Sequence, residues 1–234
     1  MGVREISVQA TREQSSTKQE QLGARVSTDD GREWVYVKNG AVALAPGTVI
    51  AAKDEVANHK NIAVAAAAAV GDTRVSVTLG ATAAAAGLYE DGFMIVNDAA
   101  GEGIAYKIAG HAAIDSAGTG WIDLAEPIQV ALTTDSQVTL HNDYEGVVVN
   151  PAGQADRPLG VANVAITAAY YGWIQTRGTC SVVTDDTITK GIPVTTGTND
   201  AGSVEPLDAV AEPQVGLSTQ AGVSGEYPAV YLTL

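Results

Sequence analysis

Short alternating or wholly apolar runs, cut apart by Gly, Asn, Asp and Pro, dominate the chain and predict a mainly β protein. Residues 74–79 and 104–108 alternate cleanly, as a strand with one buried face does. The runs at 34–37, 93–96, 121–124 and 137–140 read the same way. So do those at 146–149, 164–168, 173–176, 181–184 and 229–234. Between them stand turn residues: Asn39-Gly40, Pro46-Gly47, Asp91-Gly92, Asn150-Pro151 and Asp200-Ala201-Gly202. Little helix is expected. Residues 65–69 read as a strand edge or linker, and residues 81–89 as one or two helical turns.

Two aromatic segments share an order of residues. Trp34-Val-Tyr-Val-Lys-Asn-Gly40 leads to a glycine-led strand at Pro46-Gly47, and Trp173-Ile-Gln-Thr-Arg-Gly178 leads to one at Lys190-Gly191. This predicts a β-barrel or sandwich body built from both ends of the chain, residues 34–60 plus 143–234. Residues 61–142 would form a second β-rich lobe, inserted or serial. Residues 1–33 are expected as a partly extended N-terminal arm. Its stretch 11–21 is too polar to bury much surface alone, and reads as ordered only by a partner or as a frayed terminus.

Composition refines this picture. Hydrophobic residues make up 46% of the 234, enough for a real core, but aromatics reach only 5%. Small side chains fill shallow layers, so contacts between copies would add burial that one chain lacks. The net charge of −14 falls wholly after Lys38, because six bases and six acids balance up to that point. Such a body repels phosphate backbones, which argues against nucleic-acid binding. The first residues lack the apolar stretch of a secretory signal, and the longest apolar run, residues 62–70, is too short to span a bilayer. Synthesis in a cytoplasm and no membrane partner are the expectations. Cys180, the one cysteine, reads as a small buried hydrophobe.

Reactive chemistry is sparse. His59, His111 and His141 stand without a second His or Cys at ligand spacing, so no metal or cofactor is expected. Gly101-Glu-Gly103 leads into an alternating strand and reads as a hairpin turn. The pairs Asp29-Asp30, Glu90-Asp91 and Asp185-Asp186 lie in turns and read as solvated loop acids, not as the facing carboxylates of a glycosidase. No catalytic residues are assigned, and a non-enzymatic role is expected. Large rings should dominate burial in a chain so poor in them, at about 2–3 kcal/mol each. Trp34, Tyr170, Tyr171 and Trp173 are therefore the candidate interface anchors, with a core role as the competing reading.

The stretch Tyr170-Tyr-Gly-Trp-Ile-Gln-Thr-Arg-Gly178, with a closing Pro213-Gln-Val-Gly-Leu217, resembles the capsid decoration (cement) proteins of tailed bacteriophages. Tyr89-Glu-Asp-Gly92, Gly101-Glu-Gly103 and Leu124-Ala-Glu-Pro-Ile128 extend the likeness over most of the chain after Trp34. The resemblance implies a virion protein on the capsid exterior that binds the major capsid protein and stabilises the head, as a homotrimer. Other phage parts (head fibre, tail, baseplate) and a carbohydrate-binding module using Trp34, Trp121 or Trp173 are the alternatives.

Overall fold

The computed structural model describes residues 4–154 and 156–234. The chain divides into two compact units. Unit 1 is Met1–Lys53 with Tyr144–Leu234, and unit 2 is Asp54–Asp143, carried as an insertion in the sequence of the first.

Unit 1 opens with β1 (Arg4–Glu5), β2 (Arg25–Ser27), β3 (Glu33–Asn39) and β4 (Thr48–Ala51). Unit 2 supplies β5 (Ile62–Val64), β6 (Arg74–Thr78), β7 (Phe93–Asp98), β8 (Ala105–His111), β9 (Thr119–Leu124) and β10 (Gln137–His141). Unit 1 resumes with β11 (Glu145–Val149), β12 (Pro158–Ala162), β13 (Tyr171–Ser181) and β14 (Pro193–Thr196). It ends with β15 (Val204–Pro206), β16 (Gln214–Ser218) and β17 (Ala229–Thr233).

Unit 2 is a closed barrel in the order β10-β5-β6-β9-β8-β7, with β7 pairing β10 to complete the ring. Alternation fills it: Val75 and Val77, Met94 and Val96, Tyr106 and Ile108, and Ile122 and Leu124 point inward from successive strands. Unit 1 is an eleven-stranded sheet in the order β1-β2-β3-β11-β4-β12-β13-β17-β16-β14-β15. It also curls back on itself through a β3–β13 pairing, in which Trp173 faces Tyr36 and Gln175 faces Trp34. The two segments alike in sequence are thus hydrogen-bonded partners.

β3 is buried on both faces, and its alternation shows why. Val35 and Val37 point into one cluster with Ile50, Val147 and Ile174. Trp34 and Tyr36 point the other way, into a second cluster with Leu22, Val26 and Trp173. The N-terminal arm closes over that second face. Ser15 exchanges both backbone hydrogen bonds with Tyr171 (3.0 and 2.8 Å), and Gln19 N–H donates to the Tyr36 hydroxyl at 3.1 Å. Leu22 is buried. The stretch expected to need a partner or to fray is therefore packed on its own chain. Its backbone groups pair with a strand end, and one leucine and the rings beneath supply the apolar contact its composition lacks.

A single loop device recurs in both units. In four places two distant loops exchange both backbone hydrogen bonds through one residue each: Leu44 with Ile166, Ala68 with Leu132, Ala84 with Ile114, and Ile188 with Gly222. Three residues after seven of the eight bridging positions the backbone turns left-handed, at Gly47, Gly71, Gly87, Ala117, Ala169, Gly191 and Gly225. A strand follows each turn. The left-handed residue reverses the chain sharply enough for the bridge to form while the strand returns to the ladder.

This device corrects three expectations. Residues 81–89 form no helical turn; Ala84 is a bridging residue and Gly87 the reversal. Residues 164–168 are not a strand but the Ile166 bridge loop, and the strand lies just before it, at β12. Residues 182–184 likewise lie beyond the end of β13. The unit boundary falls after Lys53, so residues 54–60, expected in the body, belong to unit 2, where His59 is fully buried.

Candidate interaction surface

The four candidate anchors separate by burial. Trp34 and Trp173 are 1% and 6% exposed and form the core under the arm, so neither offers a ring to a partner. Tyr170 and Tyr171 are half-buried at the start of β13. Tyr36 joins them: its ring stacks on Tyr171 at 6.1 Å and meets Trp173 at 5.0 Å. Lys38 lies over Tyr171 at 5.6 Å and pairs with Glu145 at 2.7 Å. Burial works against the Lys38 charge, but the Glu145 carboxylate outweighs it and raises the pKa.

The Tyr170–Gly178 motif is the joint of unit 1. The first half of β13 pairs with β3 and, past a bulge between Gln175 and Arg177, the second half pairs with β17. Gln175, fully buried, holds that bulge. Its amide N–H groups donate to the carbonyls of Arg177 and Thr179, and its oxygen accepts from Asn163 at 2.7 Å. Cys180 donates to Asn163 in turn, and burial pushes its thiol up to about 12. This cysteine is a packed, protonated group, as expected from sequence.

Beyond the bulge, the sheet presents one face to the core and one to solvent. Cys180, Val230, Val215 and Val194 point into the core. On the other face Thr179, Tyr231, Leu217 and Pro193 are register partners across four strands, forming one exposed row. Tyr231 is 39% and Leu217 41% exposed. Arg177 borders the row and pairs with Glu33 at 3.4 Å. Beside it a groove of ≈ 510 Å³ runs past Asp30, Arg32, Gly178 and Tyr231. The Arg32 guanidinium and Thr28 hydroxyl hold the Asp30 carboxyl well below the usual range. No single residue of this row stands out in sequence. Only the register brings Pro193, Leu217 and Tyr231 side by side.

Unit 2 gathers a constellation that sequence spacing hides. His59 donates from Nε2 to the Thr82 carbonyl at 2.9 Å, which leaves Nδ1 to accept the Tyr89 hydroxyl. His111 donates from Nδ1 to the Ala112 carbonyl at 2.7 Å and accepts Tyr89 N–H at Nε2. Both imidazoles are satisfied in their neutral forms, and burial pushes the Tyr89 phenol up to about 12. With every nitrogen engaged by the chain itself, the cluster is a structural polar core. The acid pairs are also partly corrected. Asp91 and Asp185 are 7% and 9% exposed rather than solvated, and Asp185 Oδ2 accepts the backbone N–H groups of Asn199 and Asp200, stapling their loop. Among the described residues no group of three or more His, Cys, Asp or Glu is placed to hold a metal.

Comparison with known proteins adds no neighbour: no protein-family profile, curated protein or solved structure matches the chain.

Proposed function

We propose that the protein is a non-enzymatic structural component of a phage virion, which binds the outer surface of the capsid as a homotrimer and stabilises the head. The observation that carries this reading is the exposed Thr179–Tyr231–Leu217–Pro193 row. It is an uncharged strip on a chain of net charge −14, set on a sheet whose opposite face is core. A rigid strip of this kind suits docking on another protein surface, where aromatic and aliphatic anchors supply most of the affinity. The recognised Tyr170–Gly178 motif supports the reading further, because it forms the strand that fixes this sheet in place. Three copies on one lattice site would turn modest contacts into slow release.

The test is co-sedimentation with expanded, decoration-free heads of the encoding phage, alongside sedimentation-equilibrium measurement of the free protein. Saturable binding at a fixed ratio to the major capsid protein is expected, and Tyr231→Asp with Leu217→Asp should abolish it. Trp121→Asp, on unit 2, should bind as the parent does. Failure of the parent to bind expanded heads would overturn the capsid assignment in favour of a tail, fibre or baseplate part.

A further inference from the structure

A second concave site lies elsewhere in unit 1, where the arm arches over the outward face of the β3–β13 ladder. It encloses ≈ 670 Å³, within the range of small-ligand pockets. Its floor is aromatic. Of the three rings that line it, Tyr36 and Trp173 are 3% and 6% exposed and serve as packing beneath, and the half-buried Tyr171, within 13° of parallel to Tyr36, is the ring that reaches the surface. Its walls come from the arm and mix the polar Arg4, Glu13, Gln14, Ser15, Gln19 and Glu20 with the apolar Ile6 and Ala10.

The wall chemistry selects a ligand class. Arg4 and Glu20 neutralise each other at 2.6 Å, so the rim holds no free cation to attract an anion. Gln14 spends its oxygen on Thr167 N–H at 2.8 Å and keeps its NH₂ donors. The Glu13 carboxylate and the Tyr171 hydroxyl have no hydrogen-bond partner among the described residues. The site thus combines the Tyr171 ring with spare donors and spare acceptors, one acceptor being anionic. A sugar matches this mixture: its C–H faces stack on rings, while each hydroxyl can both donate and accept. A carboxylate- or phosphate-bearing ligand would meet Glu13 as a like charge.

We propose that this groove binds a neutral oligosaccharide, with Tyr171 as the stacking surface and Glu13 and Gln14 as hydroxyl partners. The site is separate from the Tyr231–Leu217 strip, so the proposal stands independently of capsid docking. It would give the protein a second, adhesive capacity directed at glycans.

The experiment is an array of neutral and acidic oligosaccharides probed with the purified full chain, followed by calorimetric titration of the best neutral glycan. Retention of neutral glycans is expected, with saturable binding weakened at least tenfold by Tyr171→Ala and by Glu13→Gln. Glu13 is exposed and outside the core, so its variant tests the site without risk to the fold; near-ultraviolet dichroism checks Tyr171→Ala. Trp121→Ala, which removes the exposed tryptophan of unit 2, should leave affinity unchanged. The proposal is overturned if no neutral glycan is retained, if acidic glycans bind better, if affinity survives Glu13→Gln, or if it is lost with Trp121→Ala. Each outcome is independent of head binding, which is read separately by co-sedimentation.

Discussion

Units 1 and 2 are built with the same loop device, two reciprocal bridges in each, yet they end in different states. Unit 2 closes: every one of its strands has two neighbours in the ring, and its interior is apolar, mostly aliphatic with Met94 and Tyr106, beside the Tyr89–histidine cluster. Unit 1 closes only through β3 and β13 and then continues as an open sheet out to β15. Closure removes the edges and leaves only a solvated exterior, whereas an open sheet keeps an exposed face and a terminal strand. The difference lies in how each unit ends its sheet: unit 1 carries the exposed row, the groove and the arm on an open sheet, and unit 2 carries its exposed rings, Trp121 and Phe93, on strands paired on both sides.

The sharpest way to break this comparison is to damage one unit and watch the other. Trp173→Ala removes a buried ring beneath the arm and should cost about 3–5 kcal/mol. Hydrogen exchange should show protection lost across unit 1 and retained in β5 to β10; equal loss in both would show that the units do not fold independently.

Tyr89→Phe probes unit 2 in the same way. It leaves His59 Nδ1 buried without a donor and should cost about 1–3 kcal/mol, read as a lower urea midpoint. The same substitution should alter the response to alkali. An unfolded phenol ionises near 10.0, while the folded one stays protonated to about 12. The stability it contributes is therefore complete below pH 10.0 and lost as pH climbs through about 12. In unit 1 the corresponding window belongs to Cys180, from 9.0 to about 12. Urea titrations across that range should show an alkaline decline in the parent that Tyr89→Phe removes for unit 2 only.

The smallest effects test the shared device itself. Gly71 in unit 2 and Gly191 in unit 1 both have positive φ, 96° and 90°, and nothing crowds an added Cβ at either. Alanine at each should cost about 1 kcal/mol through backbone strain alone. Thermal melts giving a large loss at one site and none at the other would show that the two loops do different work.

Much of this architecture is legible in the sequence, and the exceptions share a cause. Strands with one buried face, such as residues 74–78 and 105–108, announce themselves by alternation. The common order of residues in the Trp34 and Trp173 segments places both in one body, but not as direct partners, which only the register shows. The bridge loops do not announce themselves. Ala84 and Ile166 are apolar because they are buried in their units' core clusters beside one reciprocal bridge, and an isolated buried residue carries no period. The arm was misleading for a related reason: its order comes from backbone pairing with Tyr171, which side-chain composition does not encode. Trp34 and Trp173 were legible as energetic anchors, but not as anchors of the core rather than of an interface. The groove and the exposed row needed register, since their residues come from the arm, β3 and β13 in one case and from four strands in the other.

The insertion of unit 2 within unit 1 has a consequence for biosynthesis. A ribosome releases β3, with Trp34, Val35, Tyr36 and Val37, well before it makes β13, the strand on which those side chains pack. Unit 2 has all six of its strands by His141 and is complete while β3 still waits. Vectorial synthesis thus lets β3 pair with the earlier β2 but leaves its apolar side chains without β13 for the time needed to translate roughly 130 residues, about 7–26 s at ordinary elongation rates. The polar stretch ahead of β3 and the early-folding acidic barrel behind it would then serve as solubilising flanks for that strand until its partner emerges.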